Sequence, residues 1–260
     1  MNDFIQHTTL SLIYPVWRYL HPEAGAAESE LYQSSLISAL LQGVYDGKTS
    51  IADLQKHGDF GLGTFNGLDG EMIAFDGAFY QLHSNGSASP ALPEQKTPFA
   101  VVTFFKPERE LQIEERMSKG DLLKLLEDAS EPNLFSAIRI DGLFNNIRTR
   151  TVALQTKPYP HLVNATESQA IQSFSEVDGT LAGFRSPAYA QGIDVAGFHL
   201  HFLRQDRLSG GHTLDFTIHK ARIQLSTIRN LHIELPVSDD FLNTKMNSSS
   251  EDRDIKKAEG

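Results

Sequence analysis

The stretch GFHLHFLRQDRLSGGHTLDF, residues 197–216, brings His199, His201 and His212 into one short segment. In a strand, side chains two apart share a face. His199 and His201 therefore point one way, while Phe198, Leu200 and Phe202 point the other, toward a core. RQDRLSGG is polar and ends in a glycine pair, which suits a hairpin loop. If the chain returns through HTLDFTI, His212 lies beside His199 or His201, and Leu214, Phe216 and Ile218 share its face. Three neutral imidazoles with an open fourth position form the ligand set of a catalytic zinc site. Each histidine also has an ordinary reading as a packed or surface side chain, and HxH alone is a weak pattern. Spacing alone leaves both readings open.

The chain that must position these residues has 260 residues, with 40% hydrophobic and 22% charged content, ordinary values for a globular protein. Cysteine is absent, so disulfides and thiolate metal sites are excluded, and a metal would need His, Asp or Glu. The net charge of -10 and the lack of a basic patch exclude a nucleic-acid footprint. No apolar run approaches the roughly 20 residues of a membrane span. The first residues are not basic and Pro15 interrupts their apolar stretch, so no signal peptide is expected and the expected compartment is the cytoplasm.

Periodicity predicts a helix from about residue 29 to 44, then a short helix opened by a capping box of Ser50 and Asp53 and stopped by Gly58. The Asp-Gly pairs at 69–70 and 76–77 predict β-hairpins. PFAVVTFF reads as a buried strand, SKGDLLKLLEDAS as an amphipathic helix, and SAIRIDGLFNNIRTRTVALQ as a strand. Beyond the proline-rich TKPYPHLVN the chain is almost all β, and the tail from residue 243 is polar and expected to be solvated. The expected fold is α/β with two β-rich parts. Residues 1–155 would form a mixed sheet with flanking helices. Residues 156–260 would form an antiparallel β-domain carrying the metal site and the tail, with the active site between the two parts.

Four segments, GDFGLGTFNGLDGEM, IRTRTV, GTLAGFRSPAYAQGIDVAGFHLHFLRQDRLSGGH and the terminal AEG, resemble the acetolactate decarboxylase family from about residue 29 onward. The resemblance implies a zinc-dependent homodimer that converts 2-acetolactate to (R)-acetoin and carbon dioxide. It implies His199, His201 and His212 as zinc ligands, and Glu71, Arg150 and Glu259 as catalytic residues, with Thr64 close to the substrate. It also implies a metal-stabilised enediolate that a glutamic acid protonates. By their residue types alone, Glu71 would be a solvated turn residue, Arg150 part of an exposed edge, and Glu259 part of a loose tail.

Two other classes remain on the residues alone. Cupin-like proteins, including non-haem iron dioxygenases, also carry HxH on a strand, but usually with a Glu soon after it, where this chain has FLRQD. A non-enzymatic β-domain that binds a sugar or a protein partner is the other.

Overall fold

The computed structural model describes residues 29–246 and 251–259. The expectations for the N-terminal stretch fall on residues 1–28, outside the described residues. Strands dominate, and among the described residues only the helices Lys119–Ala129 and Glu251–Glu259 exceed five residues. The fold is therefore β-rich, with less helix than the α/β expectation implied.

The first sheet has seven strands in the order Asn230–Glu234, Glu30–Ser34, Ala100–Thr103, Phe60–Thr64, Glu71–Phe75, Ala78–Leu82 and Ala88–Pro90. Asn230–Glu234 runs parallel to Glu30–Ser34 and the remaining neighbours are antiparallel, so the sheet is mixed, as expected. The second sheet is antiparallel throughout. It is built on the long strands Gly210–Ile228, Phe135–Thr151 and Ala170–Ser186, with Gly197–Arg204 beside the last. Gly197–Arg204 also pairs with Gly210–Ile228, so four strands close into a ring at that end.

The sheets do not divide at residue 155. Phe135–Thr151 lies inside the second sheet, and Asn230–Glu234 returns to the edge of the first. Composition along the chain marks where proline interrupts regular structure, whereas sheet membership is decided by pairing between distant segments.

The expected helix over 29–44 is instead the strand Glu30–Ser34, a positive-φ residue at Ser35, and a short helix, Ile37–Leu41. This strand is covered on both faces. Leu31 joins the core between the sheets, and Tyr32 joins the core beneath Ile51 and Leu54. A strand buried on both faces loses the polar alternation that would reveal it. The local signals fared better where chemistry fixes geometry. Ser50 and Asp53 make both bonds of the capping box, and Asp76–Gly77 turns Glu71–Phe75 into Ala78–Leu82.

The core between the sheets takes Leu62, Ile73 and Val101 from the first and Ala137, Ala182 and Phe184 from the second. The second sheet encloses another core, with Phe144, Phe202 and Phe216 and the helix residues Leu122 and Leu126. The tail also departs from expectation. Glu251–Glu259 is a helix whose Ile255 and Ala258 are buried in the inter-sheet core, because an apolar pair three residues apart gives even a polar helix one face to bury.

Candidate metal centre and active site

The histidine hairpin forms as the spacing suggests. His201 is directly opposite His212, with Phe202 opposite Gly211 and Leu203 opposite Gly210. His199, His201 and His212 are all buried, and each offers a ligand nitrogen within 4.8 Å of the others. The Nε2 atoms of His199 and His201 are 3.2 Å apart. Two nitrogens bound tetrahedrally to one zinc at about 2.0–2.1 Å would be separated by about 3.3 Å, so the spacing fits a shared ion. The His201 Nδ1 lies 2.7 Å from the Met72 carbonyl. A carbonyl can only accept, so this bond places the proton on Nδ1 and leaves the Nε2 lone pair directed at the centre. Burial, and then the charge of Arg150, push the His199 pKa down to about 3. The ring is held neutral, the form that ligates a metal.

One expectation about the hairpin fails. His212 does not share a face with Phe216 and Ile218, which lie in the core enclosed by the second sheet. Asp215 is opposite Arg148, but Thr213 is opposite Thr149, so Leu214 is an extra residue. This β-bulge reverses the alternation and turns His212 to the side of His201 and Arg150.

Arg150 sits across from His212 on one neighbour and Ile171 on the other, with 3% exposure. It is therefore not an edge arginine, whereas Arg148, one alternation away on the same face, is exposed. Its charge is close enough to affect His199.

Glu71 comes from the first sheet. It opens the strand Glu71–Phe75 opposite Thr64, and its carboxylate lies 3.9 Å from the His201 Nε2. Its side chain is 12% exposed, so it is not a solvated turn residue. The preceding turn holds it there. The Thr64 hydroxyl donates to the Gly70 carbonyl at 2.7 Å, and the Gln81 amide donates to the Asp69 carbonyl at 2.6 Å. Gly70 has φ 80°, and a Cβ there would lie 2.1 Å from the Leu82 carbonyl oxygen. Thr64, Glu71, Arg150 and the three histidines thus come from both sheets to adjacent positions. Glu259 is the last residue of the C-terminal helix, and its side chain lies outside the described residues.

Three partners of this site were not evident in the sequence. They are the Met72 carbonyl, the bulge at Leu214, and Lys119, whose Nζ donates to the Leu214 carbonyl at 2.7 Å. A backbone carbonyl has no residue-type signature. The alternation of Leu214, Phe216 and Ile218 pointed to an unbroken strand.

A β-rich scaffold that gathers three buried imidazoles able to hold a metal ion, with a carboxylate and an arginine beside them, is the framework of an enzyme site. Residues 31–248 match the family profile described as alpha-acetolactate decarboxylase. The chain is 45% identical over 233 residues to an alpha-acetolactate decarboxylase of Bacillus subtilis, covering 89% of this chain and 91% of the relative. It is 46% identical to one from Klebsiella aerogenes, covering 89% and 90%. The crystal structure of the Bacillus subtilis strain 168 protein superposes with a TM-score of 0.88 at 44% identity, covering 89% of this chain and 99% of that one. This chain belongs to the alpha-acetolactate decarboxylase family and is a carboxy-lyase. That membership sets aside the cupin-like dioxygenase and the non-enzymatic binding domain.

Proposed function

We propose that the chain decarboxylates 2-acetolactate to (R)-acetoin and carbon dioxide with a zinc ion held by His199, His201 and His212. The observation that carries this reading is the convergence of three buried imidazoles beside Glu71 and Arg150. Imidazole donors suit several divalent metals, and an all-nitrogen set with an open position suits catalytic zinc. When bound, the ion supplies Lewis acidity toward the ketone and hydroxyl oxygens of the substrate.

The substrate has a carboxylate and a ketone on either side of a tertiary hydroxyl carbon. Loss of carbon dioxide leaves an electron pair that delocalises into the ketone, giving an enediolate, so no thiamine or pyridoxal cofactor is required. Arg150, a fixed planar cation, orients the substrate carboxylate. Gripping it more tightly in the ground state than in the transition state would slow the reaction, so its contribution is alignment. A carboxylic acid, Glu71 or Glu259, then delivers a proton to one face of the carbon and sets its chirality. Thr64 fixes the turn that presents Glu71 and borders the substrate.

The test is incubation with racemic acetolactate, with and without EDTA, followed by a chiral acetoin assay and metal analysis. The reading requires (R)-acetoin from metal-replete protein, about one zinc per chain, and loss of activity with EDTA. Full activity in metal-free protein would remove the metal role.

The quaternary state in this proposal is a homodimer in the cytoplasm, testable by light scattering and cell fractionation. Among the described residues no helix is long and apolar enough to cross a membrane.

A further inference from the structure

The bulge that turns His212 is itself held in place. An extra residue in a strand leaves backbone groups outside the ladder, and buried backbone groups need partners. At Leu214 the carbonyl accepts a hydrogen bond from the Lys119 Nζ at 2.7 Å. Lys119 is well anchored for this. It is the first residue of helix Lys119–Ala129, whose start is capped by Ser118 accepting from the Asp121 amide. Just before it, Met117 and Ser118 pair with Ile218 and Thr217 of the same histidine-bearing strand. The ammonium is half-buried, and burial holds its pKa below the ordinary lysine value, an effect that Asp215 offsets only in part. A partly desolvated ammonium is costly without a partner, so the contact constrains the lysine and the carbonyl together.

The geometry points to Lys119 as a positioning residue for the metal centre: by bonding the Leu214 carbonyl it fixes the bulge that turns His212 toward His199 and His201. This rests on the reading of the three histidines as metal ligands. The ordinary alternative is that Lys119 only ties the helix start to the sheet. The two differ in what a substitution changes. A tie lowers stability alone, whereas a positioning residue alters the ligand geometry.

The test compares full-length wild type with Lys119→Met and Lys119→Arg. Zinc affinity is measured by competition with a chromophoric chelator. Ligand geometry is read from the visible absorption of the cobalt(II)-substituted proteins, and stability from thermal unfolding after metal removal. Lys119→Met is expected to weaken zinc by roughly 10-fold or more, the usual scale for a lost outer partner of a ligand. Its cobalt spectrum should shift, and Lys119→Arg, which keeps a cationic donor, should restore both. If Lys119→Met does not fold, Lys119→Gln takes its place with the same expected order. Unchanged zinc affinity and cobalt spectrum, with only a lower unfolding temperature, would overturn the inference. A wild type that binds no zinc would instead remove the underlying metal reading.

Discussion

Glu71 and the His201 Nε2 are 3.9 Å apart, near enough for charge to matter and too far for a hydrogen bond. Under the proposed function, a carboxyl in that position acts on a substrate lying against the histidines without itself being one of the three proposed ligands. Glu71→Gln keeps the shape and removes the acid. It should retain the metal and lose about 10²–10⁴-fold in kcat, the range for one positioned proton donor. Paired kcat and metal measurements check this, and normal turnover would end the assignment. His201→Ala should act differently. It removes a proposed ligand atom and leaves the Met72 carbonyl without its imidazole donor. Expected outcomes are loss of stoichiometric metal and of activity together, read by elemental analysis of purified protein.

At the scale of elements, the turn at 65–70 and the histidine hairpin do the positioning. Gly70 takes a backbone conformation that L side chains rarely adopt, and a Cβ would collide with the Leu82 carbonyl oxygen. Gly70→Ala should therefore destabilise by about 1–3 kcal/mol through backbone strain. It should also displace Glu71, lowering kcat. Urea unfolding and steady-state kinetics on one preparation check both effects. The same elements show what a sequence discloses. The helix over 119–129, the capping box at Ser50 and the hairpin at Asp76–Gly77 were legible, because periodicity, caps and turns are local chemistry. The return of His212 beside the HxH pair was legible from the polar loop and its glycine pair, although only the structure selects His201 over His199 as its partner. Glu30–Ser34 was not, since a strand covered on both faces has no alternation to read. The face of His212 was misread because a bulge breaks the counting rule, and its cause, Leu214 with Lys119, spans two distant segments. Glu71 and Arg150 needed the family resemblance, because their residue types fit a surface as well as a site.

The whole molecule couples site and stability, because the histidines face a sheet built from other parts of the chain. The C-terminal helix takes part in this. Ile255 is fully buried in the core between the sheets. Ile255→Ala should cost about 2–5 kcal/mol if the helix remains docked. The loss will be smaller if the helix detaches alone, and denaturant unfolding with a probe in each sheet tells these apart. Removing residues 251–260 tests the tail further. If Glu259 serves the reaction, rate or product chirality changes as well as stability. Metal removal should also lower the unfolding temperature. A ligand present at 100 times its Kd adds about 2.7 kcal/mol, and calorimetry with and without EDTA reads the difference.

The parallel pairing of Glu30–Ser34 with Asn230–Glu234 carries a consequence for how the molecule is made. Among the described residues, the first strand to be made must wait for the last. Tyr32 finds its Glu234 partner 202 residues later, at 2.5 Å. Until then, the nascent first sheet can assemble only up to a ragged border, with strand backbone open to the wrong neighbour. Such distant contacts slow folding and lengthen exposure to aggregation. Cell-free synthesis stalled before Asn230 should yield chains that cling to chaperones or precipitate, while chains long enough to expose Glu234 beyond the ribosome should be released soluble.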